Sequence, residues 1–395
     1  MVKMLKVVHL ITGLRAGGAE TVLYRLLAEM DRARFRSTVV SLTDEGELGT
    51  GIRALGVPVH TLGMRRGAGS VLSAVHRLRR LLRRERPDIL QTWLYHADLL
   101  GTVAARAAGV PVLAWNLRCS QPRVGMAAER PGALLRVLRR LSHVPDAVVV
   151  NAEAGRAFHA AVGFGPREWR LIPNGVDARM FRPSPELRAR ARREMGVDAA
   201  APVVGMVGRY DPLKDVGTFL RAARILLDTR RDAVFVLAGR DLSAENGELG
   251  AQIRALGLEG AVRLLGRRTD VQAVYPAFDV AALTSRAEGF PNVVAEAMAC
   301  GVPCAVTDVG DAALLVGDTG RVVPPGDPGA MAAAWEGLLS LTAAERQRLG
   351  AAARDRIAAE FSQRAAVQRY EALYAGLAAR SRRAAAGAGQ AGRGS

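Results

Sequence analysis

The amino-acid sequence predicts an α/β protein built from two doubly wound domains. Its 395 residues exceed what one small domain needs, and at roughly 150 residues per domain the length indicates two or three domains. Hydrophobic residues make up 49% and charged residues 24%, as is typical of globular proteins. In both halves, short apolar runs alternate with segments of helical periodicity, which is the pattern of parallel sheets covered by helices on both faces.

The apolar runs predict five buried strands in each half. Val, Ile and Leu dominate these runs with little polar alternation. The predicted strands are residues 6–12, 37–43, 88–94, 112–117 and 146–151, then 202–210, 232–241, 262–266, 280–285 and 303–308. Open sheets of this kind bind ligands outside the carboxyl ends of their strands, so functional residues are expected there.

Helical periodicity and composition predict the remaining layout. Residues 215–227 and 292–299 predict helices between strands, and residues 363–380 predict a last helix with apolar positions at 367, 370, 373, 374 and 377. The expected linker is 178–201, which is rich in Arg, Ala and Pro. Residues 381–395 have little to bury and are expected to be disordered.

The amino terminus and the cysteines exclude several classes of protein. No run of about 18 apolar residues occurs, so no membrane-spanning helix is expected. The start, MVKMLKVVHLITG, has too short an apolar stretch for a signal peptide and no small-residue cleavage site, so it is interpreted as a first strand. The cysteines at 119, 300 and 304 fit a reduced cytosol and lack metal-ligand spacing. A cytoplasmic protein without a metal site is expected.

The net charge of +17 is spread unevenly. Residues 1–175 carry 26 Lys+Arg against 13 Asp+Glu, which is +13, and the remainder carries 29 against 25, which is +4. GC-rich coding explains why Arg occurs 52 times and Lys only 3 times, but not this asymmetry. Such a field attracts nucleic acid, an anionic membrane or a phosphorylated substrate.

Two basic segments contribute to this charge, at 71–84 and 134–141. Both combine leucine or valine at helical spacing with several arginines. Basic amphipathic helices of this kind can lie on an anionic membrane surface. The alternative is an ordinary helix whose apolar stripe packs on the sheet and whose arginines are solvated.

A glycine pair follows the first predicted strand. Gly17 and Gly18 let backbone N–H groups approach a phosphate or a polar sugar at the start of the next helix. The spacing is not that of the dinucleotide-binding fingerprint. The pair alone is a weak signal, and a plain strand–helix turn is the favoured explanation of these glycines.

A cationic loop follows the first strand of the second half. Arg209 and Lys214 lie between the strand 202–210 and the next helix, where both could converge on one diphosphate. Lys214 is the only lysine beyond position 6, so an ammonium group is indicated at this position. The alternative is a solvated surface pair.

The segment from Ser285 to Gly301 carries the strongest functional pattern. A Gly-Phe-Pro turn precedes a helix that begins near Asn292, and a helix amino terminus can seat a diphosphate. Glu288 precedes this seat and Glu296 lies about a turn inside the helix. Carboxylates would repel the phosphate, but they can accept hydrogen bonds from sugar hydroxyls on either side of it. A solvated Glu296 is the alternative, although its apolar neighbours indicate a buried helix.

This segment matches the Glu-x7-Glu motif of the retaining glycosyltransferases of family 4. The chain resembles that family over about residues 5–380, through the Gly17–Glu20 loop, the 173–177 turn, Gly208-Arg209 with Lys214, and residues 317–327. The resemblance implies a GT-B fold with two Rossmann-like domains facing a central cleft. Residues 1–180 would bind the acceptor and residues 181–362 the donor, and the helix 363–380 would pack back on the first domain.

The resemblance also implies the roles of individual residues. Arg209 and Lys214 would neutralise the leaving diphosphate, and backbone N–H groups near Asn292 and Val293 would cradle it. In the same way, Glu288 would hold hydroxyls of the donor sugar and Glu296 those of the ribose. His96 matches the histidine that the family places beside the sugar, with a core histidine as the alternative. Further substrate-binding residues are expected at Gly17, Gly18, Asn116, Arg118, Asn174, Gly266 and Phe290.

The family mechanism needs no protein nucleophile, because the diphosphate itself accepts the acceptor's proton. The resemblance therefore implies retention of configuration without a metal or cofactor. A UDP-sugar is favoured as donor over a GDP-sugar. The expected acceptor is a glycan or a polyprenyl-linked sugar in cell-surface polysaccharide synthesis, at the inner face of the membrane.

Other functions fit parts of the sequence. A sugar-nucleotide epimerase or a phosphorylase shares the architecture but is not expected to carry this set of Arg209, Lys214, Glu288 and Glu296. A hydrolase with Glu288 and Glu296 as paired carboxylates would cleave without an acceptor. A nucleic-acid binder is disfavoured because aromatic residues are only 5% and no stacking platform is evident. A membrane-associated, non-catalytic scaffold is the remaining alternative.

Overall fold

The computed structural model describes residues 4–15, 17–65, 67–118 and 132–391, and the chain divides into two compact units. Among the described residues, the first unit contains those up to 118, residues 132–175 and the segment from 363 onward. The second unit contains residues 176–362.

A parallel sheet forms the centre of the first unit. Its described strands are β1 (Leu5–Ile11), β2 (Phe35–Ser41), β3 (Val59–Thr61), β4 (Ile89–Trp93), β5 (Val112–Leu117), β6 (Ala147–Val150) and β7 (Trp169–Leu171). The helices between them are α1 (Gly18–Glu29), α2 (Gly46–Ala54), α3 (Ala68–Glu85), α4 (Tyr95–Ala108), α5 (Ala133–Leu141) and α6 (Glu153–Ala161). The strand order is β3-β2-β1-β4-β5-β6-β7, so the winding direction reverses between β1 and β4.

The second unit repeats this plan. Its described strands are β8 (Val203–Val207), β9 (Val234–Ala238), β10 (Val262–Leu264), β11 (Val280–Leu283), β12 (Cys304–Thr307) and β13 (Gly320–Val323), in the order β10-β9-β8-β11-β12-β13. The helices are α7 (Pro185–Glu194), α8 (Val216–Leu227), α9 (Gly247–Ala255), α10 (Val271–Val274), α11 (Asn292–Ala299), α12 (Ala312–Val316), α13 (Pro328–Leu339) and α14 (Ala343–Glu360). Short 3-10 turns occur at Pro212–Lys214, Tyr275–Ala277 and Gly317–Thr319. The predicted doubly wound α/β class is confirmed.

The cores lie on both faces of each sheet, as the apolar strands predict. Successive residues of β1 alternate, so Leu10 packs on the face covered by α3 and α4 while Ile11 packs on the face covered by α1. In the second unit, Phe219, Phe235 and Trp335 form one fully buried aromatic group on the sheet. These cores hold the carboxyl ends of the strands rigidly in place.

The last helix, α15 (Gln363–Ala391), belongs to the first unit and packs on α1 and β5. Its buried positions include all five apolar residues of the predicted stripe: Val367, Tyr370, Leu373, Tyr374 and Leu377. The expected disorder of residues 381–395 is wrong for 381–391, which continue the helix. This segment is rich in alanine, which favours helix without burying a side chain. Residues 392–395 lie outside the described residues.

The expected linker at 178–201 is also corrected by the structure. It contains α7, and α7 belongs to the second unit. The Nη2 groups of Arg188 and Arg192 each donate to Asp279 at 2.7 Å, immediately before β11. The arginines that indicated a polar linker are therefore partners of a largely buried carboxylate in the folded unit.

Candidate active site

The loop after β8 holds its shape through a strained residue. Asp215 has φ +46° and caps α8, because its side chain accepts from the N–H of Thr218 at 3.1 Å. A left-handed conformation is costly for a non-glycine residue and persists only where the surroundings impose it. Here Nε of Arg286 donates to Asp215 at 2.8 Å, and Thr284 Oγ1 donates to the carbonyls of Lys214 and Asp215 at 3.0 and 3.1 Å. The backbone that carries Lys214 is therefore fixed from the end of β11.

Lys214 and Glu288 form an ion pair at the carboxyl edge of this sheet. The ammonium group contacts Oε1 of Glu288, and the same oxygen accepts from Ser285 Oγ at 2.6 Å. The side chains of Lys214 and Glu288 are only 16% and 12% exposed. Solvent and salt screen a shielded pair of this kind less than they screen a pair at the surface. Ser285 was not among the predicted site residues, although a polar residue at the end of an apolar strand is a signal for such a position.

Arg209 has a different partner. Its Nε donates to Asp211 at 2.8 Å, so the structure pairs each of the two cations with its own carboxylate. Burial would raise the pKa of Asp211, but the hydrogen bonds from Arg209 and from the N–H of Leu213 outweigh it and lower that pKa. The Arg209 side chain is 46% exposed and its guanidinium borders the loop.

Helix α11 places Glu296 in the interior. The helix begins at Asn292, and the first N–H groups of a helix have no acceptor within it, so this end offers donors and a positive dipole. Glu296 is 9% exposed and accepts from the hydroxyl of Tyr275 at 3.0 Å. Burial and the neighbouring Glu296 carboxylate raise the pKa of Tyr275 well above its ordinary value. The ring of Phe290 is buried against Phe361, with centroids 5.6 Å apart, so this side chain packs in the core.

Three glycines, Gly208, Gly239 and Gly266, lie just after the carboxyl ends of β8, β9 and β10. Gly239 has φ +144°, and a Cβ there would lie 1.5 Å from the carbonyl oxygen of Gly208. The N–H of Gly239 donates to the carbonyl of Gly266 at 2.8 Å, and Gly266 has φ +61°. The sequence analysis selected Gly266 but not Gly239. Only residues without a side chain allow this close approach of neighbouring strand ends.

In the first unit, three predicted residues come together at the carboxyl edge of the sheet. Nη2 of Arg118 donates to Oδ1 of Asn174 at 2.6 Å, and Nδ2 of Asn116 donates to the hydroxyl of Tyr370 at 2.9 Å. The guanidinium of Arg118 lies 5.4 Å from the centroid of the Trp93 ring. Burial raises the pKa of Tyr370, and the nearby Arg118 partly offsets this rise. Tyr370 and Trp93 were not predicted, because both look like core residues in the sequence.

His96 lies at the exposed start of α4. Leu94, which immediately precedes α4, has φ +73°, and its N–H donates to the carbonyl of Asn116 at 3.2 Å. One turn further on, Asp98 is fully buried and accepts from Thr92 Oγ1 at 2.5 Å. Burial raises the pKa of Asp98 well above its ordinary value, because it penalises the charged form of the carboxyl group. The exposed His96 is not the core histidine of the alternative interpretation.

The glycine pair lies at the start of α1. Gly17 and Gly18 are both exposed, and a Cβ on Gly17 would lie 2.5 Å from a carboxylate oxygen of Glu20. Burial raises the pKa of Glu20, while its backbone hydrogen bond and Arg118 lower it. A side chain at position 17 would therefore displace Glu20. The structure places the pair at the same sheet edge as Arg118.

The two basic segments form helices α3 and α5, and their apolar stripes pack into the core of the first unit. Leu78, Leu82 and Leu138 are fully buried, which agrees with the ordinary-helix interpretation of the stripes. Four of the five arginines of α3 are exposed and line a cleft of about 730 Å³ beside the edge strand β3. The cleft residues include Arg53, His60, Arg77, Arg80, Arg83 and Arg84. Leu72, near the start of α3, is 71% exposed.

Among the described residues, no group of three or more His, Cys, Asp or Glu side chains could hold a metal ion. Of the helices that the structure describes, none is long and apolar enough to span a bilayer.

The two doubly wound units define the chain as a GT-B protein, and comparisons with known proteins agree. HepE of Anabaena, solved in complex with UDP, superposes with a TM-score of 0.83 at 24% identity, covering 94% of this chain and 100% of that one. The Glycosyltransferase Family 4 model matches residues 16–180, and the Glycosyl transferases group 1 model matches residues 201–340. The chain belongs to the group 1 glycosyltransferases of family 4.

Two sequence relatives differ in their named substrates. The D-inositol 3-phosphate glycosyltransferase of Thermobispora bispora is 30% identical over 296 residues, which is 68% of this chain and 66% of the relative. The UDP-Gal:alpha-D-GlcNAc-diphosphoundecaprenol alpha-1,3-galactosyltransferase of Escherichia coli is 28% identical over 246 residues, which is 59% of this chain and 60% of the relative. The chain thus spans about two thirds or less of these relatives' lengths.

Proposed function

We propose that this glycosyltransferase takes a sugar from a nucleotide-sugar donor bound at the carboxyl edge of the second sheet. The observation that carries the proposal is the pair of carboxylates around the start of α11. Glu288 is held by Lys214 and Ser285, and Glu296 is buried on Tyr275. A UDP-sugar is favoured over a GDP-sugar, and the UDP complex of HepE supports this choice.

In this proposal each residue of the edge has one task. Lys214 and Arg209 neutralise the leaving diphosphate, and the N–H groups of Asn292 and Val293 bind its oxygens. Glu296 accepts from the ribose hydroxyls. Oε1 of Glu288 is engaged by Lys214 and Ser285, which leaves Oε2 to accept from a hydroxyl of the donor sugar.

We further propose that transfer retains the anomeric configuration and needs no metal ion. Negative charge develops on the leaving diphosphate, and preorganised cations and a helix amino terminus stabilise that charge. The acceptor's proton passes to the diphosphate oxygen, so no protein nucleophile is required. The contacts of Glu288 to Lys214 and Ser285 support a binding role rather than a nucleophilic one.

The acceptor is proposed to bind at the carboxyl edge of the first sheet. His96, Asn116, Arg118 and Asn174 lie there, together with the Gly17–Gly18 turn. We favour a glycan or polyprenyl-linked acceptor in cell-surface polysaccharide synthesis, because the Escherichia coli relative is named for a diphosphoundecaprenol acceptor. The inositol 3-phosphate of the Thermobispora relative is the competing acceptor class.

The arginine-lined cleft supports the proposal that this enzyme is cytoplasmic and binds the inner face of an anionic membrane. Among the described residues, five arginines and a histidine line this cleft and no acidic side chain does, although Glu45 pairs with Arg53 and Glu85 with Arg84 at its margin. Because the apolar stripe of α3 is buried, the attraction is electrostatic, with Leu72 as an exposed apolar contact.

Calorimetry with UDP, GDP and ADP tests the donor site. In the presence of EDTA, the wild-type protein is expected to bind one of the three nucleotides. Glu296→Ala is expected to weaken that binding at least tenfold, because it removes a hydrogen bond to a charged group, which contributes about 1.5–3 kcal/mol. Glu259→Ala, on an exposed surface of the same unit, is the matched control. Folded protein that binds none of the three nucleotides would favour the non-catalytic scaffold.

Vesicle sedimentation tests the membrane surface. The protein is expected to sediment with anionic vesicles but not with zwitterionic ones, and added salt is expected to reverse binding. Arg80→Glu should weaken binding to anionic vesicles. Arg231→Glu, at an exposed position of the second unit, makes the same change in charge outside the cleft and is the matched control. Equal effects of the two substitutions, or equal sedimentation with both vesicles, would contradict the proposal.

A further inference from the structure

Tyr275 is the hydroxyl partner of the buried Glu296. Its side chain is 1% exposed, and its hydroxyl donates to Oε2 of Glu296 at 3.0 Å. The residue lies in the 3-10 turn that follows α10 and precedes β11. No motif in the sequence draws attention to it, because a tyrosine in an apolar stretch looks like a core residue.

The Tyr275 ring is held on two sides. It makes edge contacts with Phe181 and Phe278, each at a centroid distance of 6.0 Å. The ring of Phe278 packs directly on Gly205, where a Cβ would lie 2.2 Å from that ring. Ring rotation that would withdraw the hydroxyl from Glu296 is therefore blocked by packing.

The backbone of the turn is held from α7. Nη1 of Arg188 donates to the carbonyls of Pro276, Ala277 and Phe278 at 3.1, 3.3 and 3.2 Å. Nε of Arg192 donates to the carbonyl of Ala277 at 3.1 Å, and both guanidiniums pair with Asp279. The hydroxyl of Tyr275 thus has a fixed position relative to the sheet.

We infer that Tyr275 is a positioning residue for Glu296. A carboxylate rotates easily about its last bond, so a donor fixed on one oxygen sets the plane in which the group accepts further hydrogen bonds. In this way Tyr275 presents the Glu296 carboxylate to the ribose hydroxyls of the donor. The inference rests on the proposed function, and it assigns to Tyr275 no contact with the nucleotide.

The test compares a nucleoside diphosphate with its 2′,3′-dideoxy analogue by calorimetry. The nucleotide is whichever of UDP, GDP and ADP the wild-type protein binds. Tyr275→Phe removes one oxygen atom and is expected to weaken binding of the ribose form about five- to twentyfold, because Glu296 is no longer oriented. Binding of the dideoxy form, which offers no hydroxyl to Glu296, is expected to stay within about twofold.

Two further variants separate positioning from structure. In Glu296→Gln protein, adding Tyr275→Phe is expected to change the ribose-to-dideoxy preference little, because the carboxylate that Tyr275 orients is already gone. Tyr374→Phe is the matched control, since it removes a buried tyrosine hydroxyl that has no hydrogen-bond partner among the described residues. It is expected to leave both affinities unchanged.

Each result decides a different point. An unchanged preference for the ribose form in Tyr275→Phe would overturn the positioning role and leave the donor site standing. Equal weakening of both ligands would show a structural role only, which also overturns it. A wild-type protein that binds the nucleotide without preferring its ribose form would remove the task assigned to Glu296. If the wild type binds no nucleotide, the proposed function itself fails.

Discussion

The carboxyl edges of the two sheets assemble their polar residues in different ways. In the second unit, Lys214, Glu288 and Glu296 come from the two chain segments that directly follow the central strands β8 and β11. In the first unit, Asn116 meets Tyr370, which lies 254 positions further along the chain. A site made of local segments leaves a motif in the sequence, whereas a site made of distant segments does not.

The units also stabilise buried polar groups differently. In the first unit, burial lowers the pKa of His9 to about 3 and raises that of Asp98 well above its ordinary value, so burial favours the uncharged form of both side chains. In the second unit, Arg192 stays charged and lies 2.7 Å from Asp279. Both arrangements avoid a lone buried charge, one by neutralisation and the other by pairing. The two units should therefore respond differently to acid and to loss of a partner.

The largest effect is expected on catalysis in the second unit. Lys214→Ala removes a preorganised cation next to the leaving group, so kcat should fall about 10²–10³-fold in a steady-state assay with the preferred donor. Lys214→Arg keeps the charge and should lose less. By contrast, Asn174→Ala in the first unit should mainly raise the KM of the acceptor. Activity of Lys214→Ala above one tenth of wild type would break this contrast.

The next effect is on stability of the second unit. Asp279 accepts from Arg188 and Arg192 and from the N–H of Val203 at 2.8 Å. Asp279→Ala leaves two guanidiniums without their carboxylate and should cost about 3–5 kcal/mol in urea unfolding. The control is Asp270→Ala, whose partner Arg268 and own side chain are 30% and 38% exposed. It should cost at most about 1 kcal/mol, and similar losses in both variants would contradict the importance of burial.

The first unit should respond to acid through His9. Its folded pKa of about 3 lies below the unfolded value of 6.5, so the unfolded chain binds a proton first as the pH falls. Stability contributed by neutral His9 is present above about pH 6.5 and is lost towards about pH 3, by roughly 1.4 kcal/mol per pH unit.

Urea unfolding at pH 7 and pH 5 measures this loss. His9→Gln should reduce the pH dependence, whereas His143→Gln, at an exposed position, should not. An unchanged pH dependence in His9→Gln would mean that other groups dominate the acid response of the first unit.

The smallest effect is expected at the hydroxyl of Tyr370. Tyr370→Phe leaves the buried Asn116 amide without its acceptor and should cost about 1–2 kcal/mol in urea unfolding. Tyr374→Phe, which removes a hydroxyl without a partner among the described residues, should be close to neutral. Equal losses would show that tyrosine packing, not the hydrogen bond, matters at this edge.

The central strands could be predicted from the sequence, whereas three of the four edge strands could not. All ten predicted strands are present, and nine of them are central strands, which are apolar because helices cover both of their faces. The structure adds β3, β7 and β13, which each lie at an edge of a sheet. These strands have three or four residues and are partly exposed, so no apolar run marks them.

For the donor residues, too, some features could be predicted from the sequence and others could not. Glu288, Glu296 and Lys214 were selected because each lies at a strand end or a helix start, and the structure adds Ser285 and Tyr275 as their partners. Arg209 and Lys214 were expected to converge, but the structure pairs them with different carboxylates. The residue types could be predicted from local pattern, whereas their hydrogen-bond partners could not.

The sequence by itself determined the two doubly wound units, the central strands and the segments that carry the donor motif, because periodicity and strand-end chemistry are local properties of a chain. Only the tertiary structure decided that Arg192 of α7 pairs with Asp279 and that Tyr275 meets Glu296. Those contacts depend on strand order and on helix packing, which bring together residues far apart in the chain.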